Sequence, residues 1–192
     1  MTDNSPQPRY PTAFQTVDVA IFNEAGDKLL MARKAHQDKM RFVGGFSDPQ
    51  TGSLEDDARR EVAEETGIEI SDPVYVGSTL IDDARYRGTQ DAIKTALFRA
   101  VHTGGDPQPA DDIAEVFWVD MQKVAENAGE LIVDEHQVLV AMLGLTGADG
   151  SGEADDGEAD TSEADADIDF KAILAMVLIA TVFTVLFVLM TK

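Results

Sequence analysis

Apolar and polar residues along the chain change period several times, and each change marks an element. Residues 14–22 (FQTVDVAIF) alternate strongly enough to predict a strand, and the turn residues NEAGD lead into a second at 28–33. Residues 41–45 predict a short strand ending on Gly44-Gly45. Residues 54–66 carry Leu54, Ala58 and Val62 four apart, the stripe of a half-buried helix. Strands are predicted at 74–81 and 92–102 around the loop 82–91, and another at 115–120. Residues 134–145 have helical spacing. Mixed strands around an internal helix predict an α/β sandwich with a mixed sheet, over residues 13–148.

The flanking segments follow different rules. Residues 1–12 are polar and proline-containing, with no apolar run, and are expected to be a loose arm. Residues 149–169 hold ten Asp or Glu and no Lys or Arg, among Gly, Ala and Ser. Such a stretch has little to bury and is expected to be an extended acidic linker. Residues 172–191 carry no charge. As a helix they would cover roughly 30 Å, the thickness of a bilayer's hydrocarbon core. Residues 170–192 are therefore expected to be a single transmembrane helix, with the lipid bilayer as a partner. The cost of moving the acidic linker and a folded domain across lipid places the domain, by expectation, on the cytoplasmic side.

Charge narrows the function. The 192 residues include 36 acidic against 15 basic, a formal net charge of −21. Nucleic acid is not an expected partner, because its phosphates would be repelled. With no cysteine, thiolate chemistry and cysteine metal sites are excluded. His36, His102 and His136 lie scattered without ligand spacing and are assigned no role.

The helix at 54–66 carries the candidate chemistry. Ser53 followed by Asp56 predicts a capping box, in which the hydroxyl takes a backbone N–H and the carboxylate reaches back. Gly67 is the expected stop. Asp57, Glu61, Glu64 and Glu65 stand at spacings of three and four, so their carboxylates are expected on one face. Like charges at that spacing destabilise a helix. Arg60 offsets part of the repulsion, and a hard divalent cation would supply the rest.

Arg60-Glu61-Val62-Ala63-Glu64-Glu65-Thr66-Gly67-Ile68, behind the Gly44-Gly45-Phe46 strand end, resembles the core of the Nudix box at every defined position. The resemblance extends over about residues 13–145 and not to the acidic or apolar segments. It implies a Nudix-like α/β/α sandwich and a pyrophosphohydrolase using Mg²⁺ or Mn²⁺. The substrate class it implies is a nucleoside diphosphate linked to another group, such as ADP-ribose or a nucleotide sugar. By motif match, Glu61, Glu64 and Glu65 would bind metal, with a carbonyl of Gly44 or Gly45 completing the coordination, and Arg60 would hold the carboxylates. The general base stays open between Glu64, Glu65 and the later acids Asp112 and Glu115. Arg85, Tyr86 and Arg87 in the 82–91 loop, with Arg33, are candidates for phosphate and base. A homodimer is compatible with this reading.

One departure stands out. The full box has a glutamate where this chain has Gly52, and the loop before the helix carries one extra residue. A loop variant that keeps the helix ligands explains it. The alternative is a catalytically weak or inactive domain that binds nucleotides as a sensor or recruitment module.

Overall fold

The computed structural model describes residues 10–145. The acidic stretch 149–169 and the apolar stretch 170–192, expected as linker and membrane helix, lie outside the described residues. Among the described residues, no helix is long and apolar enough to cross a membrane.

Seven strands form one curled mixed sheet: β1 Ala13–Phe22, β2 Lys28–Lys34, β3 Val43–Phe46, β4 Glu69–Ile70, β5 Val74–Ile81, β6 Ala92–Gly104 and β7 Ile113–Asp120. The main order is β4-β6-β1-β2-β7, with β3 also paired to β1 and β5 to β6. The β1–β6 pair is parallel and runs from Ala13↔Ala92 to Phe22↔Val101. The other pairs are antiparallel.

Alternation along β1 builds two cores. Val17, Val19 and Ile21 point to one face and pack with Ala58 and Val62 of α1 (Leu54–Thr66). Ala20 points to the other face and packs with Leu29, Met31, Phe42, Val124, Leu139 and Val140. That second layer holds α2 (Met121–Leu131) and, after a 3-10 turn at Asp134–His136, α3 (Gln137–Met142). Helices cover both sheet faces, giving the expected α/β/α layering.

Three expectations change. The helix anticipated over 134–145 is a 3-10 turn followed by the six-residue α3. The strand anticipated from residue 41 begins at Val43, and Arg41 only bridges to Ala32. No helix was anticipated at 121–131. Its apolar signal is thin, with Val124 alone buried and a kink at Asn127.

Candidate functional site

The sequence fixes both ends of α1. Ser53 accepts the Asp56 N–H at 3.1 Å, and Gly67, at φ 68°, donates its N–H to the Ala63 carbonyl. Half of the expected capping box forms, because the Asp56 carboxylate turns to Arg59 at 3.1 Å. Ahead of the helix, Gly44 and Gly45 pass where no side chain fits. A Cβ on Gly44 would lie 2.1 Å from the Val17 carbonyl oxygen, and one on Gly45 would lie 2.5 Å from Glu61 Oε2. Gly44 therefore lets the strand end close on the neighbouring strand at Val17, and Gly45 lets it close on the helix at Glu61.

The acidic face is not the four-carboxylate cluster that spacing predicts. Asp57 is fully buried and turned away to hold the loop before the helix. It accepts from Ser47 Oγ at 2.5 Å, the Asp48 N–H at 3.0 Å and Arg60 at 2.9 Å. Burial raises the Asp57 pKa, but these three donors outweigh it and hold the carboxylate below its ordinary range.

Arg60 is the hub. It donates to the Phe46 carbonyl at 3.0 Å and pairs with Asp57 at 2.9 Å, Glu61 at 2.8 Å and Glu64 at 2.9 Å. Burial opposes its charge, yet these carboxylates hold its pKa above the ordinary arginine range. Glu65 is buried and accepts the Gly44 N–H at 3.0 Å. Loss of hydration pushes its pKa up to about 7, with the Gly44 bond pulling the other way. Burial also raises Glu61, against the pull of Arg60.

Glu61, Glu64, Glu65, Arg60 and Gly45 all line one cavity of about 440 Å³. Arg85 lines it too, held by Asp83 at 2.7 Å with its guanidinium 5.7 Å from the Phe46 ring centre. The other three substrate candidates do not line it. Arg33 pairs with Glu115 across the β2–β7 ladder and stacks on Phe117 at 5.1 Å. Arg87 pairs with Asp82 at 2.8 Å. Tyr86 packs on Phe14 at 5.2 Å. Of the later acids, Asp112 lines the cavity, paired with Lys34, and Glu115 does not.

The cavity also holds residues that spacing did not flag: Asp18, Arg41 and His136. Asp18 is buried in mid-β1. A charge inside the apolar run TVDVAIF was the available signal. His136 and Arg41 have no local signal, being 95 positions apart and joined only by the fold.

The profile of the NUDIX domain matches residues 13–142. The chain belongs to the Nudix family. No curated protein matches it. Among solved structures, the MutT protein of Methanosarcina mazei Go1 is similar at 21% identity and TM-score 0.57, covering 72% of this chain and 96% of that one. The NUDIX domain of Shewanella oneidensis NrtR, solved with ADP ribose, is similar at 19% identity and TM-score 0.57, covering 73% and 92%. A UDP-X diphosphatase is similar at 18% identity and TM-score 0.55, covering 73% and 64%. At these identities the likeness concerns the fold.

The Nudix residues present suit a hard divalent cation. Glu61, Glu64, Glu65 and the Gly45 carbonyl offer oxygen donors only, which is the set Mg²⁺ or Mn²⁺ prefers. Glycine at 45 lets the Glu61 carboxylate lie against the strand end, where a Cβ would overlap it. Among the described residues no three acidic or histidine side chains form a ready-made cage. Arg60 instead holds Glu61 and Glu64 to itself. Gly52 is exposed and lies outside the cavity lining.

Proposed function

We propose that this Nudix domain is a metal-dependent pyrophosphohydrolase that cleaves a nucleoside diphosphate linked to another moiety, of the ADP-ribose or nucleotide-sugar type. The observation that carries the reading is that Glu61 and Glu64, paired with Arg60, and Glu65, held by the Gly44 N–H, line one cavity with Gly44 and Gly45. Similarity to a domain solved with ADP ribose and to a UDP-X diphosphatase supports the substrate class.

Bound Mg²⁺ or Mn²⁺ would screen the diphosphate and make a coordinated water more acidic. Its ligands would come from Glu61, Glu64, Glu65 and the Gly45 carbonyl. Arg60, anchored on the Phe46 carbonyl and Asp57, fixes Glu61 and Glu64 in register. Glu65, oriented by the Gly44 N–H, would take the proton of the attacking water, with the more exposed Glu64 as the other candidate, and the remaining carboxylates would hold the metal. Arg85, which lines the same cavity, would meet the departing phosphate charge.

Hydrolysis of ADP-ribose and UDP-glucose with Mg²⁺ tests this. Glu64→Gln or Glu65→Gln should lower turnover by more than about a hundredfold, the scale of losing a general base or comparable group. Wild-type turnover in both variants and in the double variant overturns the assignment. Binding of these compounds by the unaltered chain without turnover would instead favour a nucleotide sensor.

We further propose that residues 172–191 tether the domain to a membrane, with the domain on the cytoplasmic face. The support is an uncharged apolar stretch of spanning length, preceded by ten carboxylates that are costly to move through lipid. The intact chain should sediment with membranes and resist carbonate extraction, and deletion of residues 170–192 should release it in active form. Recovery of the intact chain in the soluble fraction contradicts the tether, and digestion of the domain by external protease contradicts the orientation.

A further inference from the structure

Past the glycine pair, the cavity reaches a floor that the hydrolytic machinery does not use. Asp18, 5% exposed, stands in mid-β1 on the face opposite Val17 and Val19. Its Oδ2 accepts from Thr95 Oγ1 at 2.5 Å, across the parallel β1–β6 pair. Its Oδ1 faces His136 Nε2 at 3.6 Å, too far for a proper hydrogen bond. That oxygen is oriented but still has accepting capacity.

His136 is 3% exposed and stacks on Phe42 at 6.1 Å. Its Nδ1 accepts the Phe42 N–H at 3.2 Å. Burial, with Arg41 and Lys34 adding to it, pushes its pKa down to about 3, so the ring is neutral. A neutral ring that accepts at Nδ1 carries its proton on Nε2. Arg41 Nη2, 3.3 Å from Nε2, therefore meets another donor, not an acceptor. Arg41 Nε is buried with no hydrogen-bond partner. The floor thus sets the Arg41 guanidinium, which lines the cavity, beside an under-used acceptor, Asp18.

Such a floor suits an uncharged planar group with a donor next to an acceptor. Burial pushes the Asp18 carboxyl up to about 7, against the pull of Thr95 and Arg41, so it pairs best with a neutral donor, and phosphate or carboxylate oxygens would only add acceptors beside it. Ile81 and Ile93 in the cavity lining provide apolar contact for ring faces. In the nucleotide reading of the cavity, the diphosphate would lie toward the helix carboxylates and the base toward the floor.

We propose that Asp18 and Arg41 read the hydrogen-bonding edge of the substrate's nucleobase and set which base is accepted, with Thr95 and His136 as positioning residues. The inference rests on the nucleotide reading of this cavity and deepens it. A site built to hydrogen-bond a substrate discriminates strongly, because a mismatched edge leaves its buried polar groups unpaired.

The test is calorimetry on the intact chain in detergent, without divalent metal, using adenosine, guanosine, cytidine and uridine, which carry no phosphate. The unaltered chain should prefer one nucleoside by at least about tenfold. Asp18→Asn and Arg41→Met should each abolish that preference. Thr95→Val should weaken binding of the preferred nucleoside, and Thr95→Ser should restore it, which separates positioning from mere folding. Should Asp18→Asn not fold, Arg41→Met and the Thr95 pair decide the matter. Equal affinity for all four nucleosides, or an unchanged preference in the folded variants, overturns the proposal. Nucleoside preference without turnover of any diphosphate sinks only the hydrolase reading, and turnover without base preference sinks only this one.

Discussion

At the scale of single residues, Gly44 and Gly45 are adjacent yet constrained by different things. A methyl group on Gly44 would strike the Val17 backbone at 2.1 Å, and its φ of 152° already disfavours a side chain. Backbone cannot move aside cheaply, so Gly44→Ala should cost about 3 kcal/mol of stability, a value typical of severe local strain. A methyl group on Gly45 would meet the end of the Glu61 side chain at 2.5 Å, which can swing away. Gly45→Ala should therefore leave the unfolding midpoint within a few degrees of wild type. It should weaken Mg²⁺ binding and lower kcat/KM by at least about tenfold, as expected when an oxygen donor is displaced. Thermal denaturation and Mg²⁺-dependent rates on both variants check this. Equal loss of stability in the two would contradict it. In the sequence the two glycines mark a strand end and, through the resemblance, a carbonyl ligand, but not their packing, because what each one touches lies on a different segment.

At the scale of elements, α1 shows how far spacing can be trusted. Its bounds were legible, since cap, stripe and terminal glycine agree locally. Its polar face was legible only in part. A period of three and four groups Asp57 with the glutamates, but the loop at 46–48 offers Asp57 two donors and draws it into the interior. Asp57 is a clasp between loop and helix, and it also anchors Arg60. Asp57→Asn should then cost about 2–3 kcal/mol, the range for breaking hydrogen bonds to a buried charge. Asp56→Asn, which loses an exposed pair with Arg59, should cost less than about 1 kcal/mol. Urea unfolding of the two variants gives the comparison, and similar losses would remove the clasp. α2 escaped notice for the opposite reason: one buried side chain and a kink leave almost no periodic signal. Six of the seven strands were legible to within a few residues, because alternation on a two-faced sheet repeats along each one, whereas the two-residue β4 is too short to alternate.

At the scale of the whole domain, His136 ties the last elements to the centre. It stands 94 residues after Phe42, whose N–H it accepts at 3.2 Å, and it joins the 3-10 turn ahead of α3 to the approach of β3. No local pattern could reveal such a link. It also makes stability depend on acidity in a calculable direction. Burial, with Arg41 and Lys34 adding to it, pushes the folded ring down to about 3 from an ordinary 6.5. Between those values the unfolded chain takes a proton that the folded chain refuses. Its contribution to stability is thus full above pH 6.5, drains as pH falls and is spent near pH 3. At 1.36 kcal/mol per pKa unit, the loss reaches about 2 kcal/mol by pH 5. His136→Gln keeps an acceptor for Phe42 but has no proton to gain. It should be less stable than wild type by about 1–2 kcal/mol at pH 7.5, through poorer packing and hydrogen-bond geometry. The gap should close near pH 5 and reverse below it. Groups away from the ring contribute to both chains and cancel in the difference, whereas Asp18, 3.6 Å from the ring and pushed up to about 7 by burial, is the neighbour whose titration the substitution also shifts. Urea unfolding at pH 7.5, 6.0 and 4.5 on chains ending at residue 148 measures the gap. Two stability curves that stay parallel across that range would mean the ring is not held neutral, and the link between α3 and the central sheet would need another explanation.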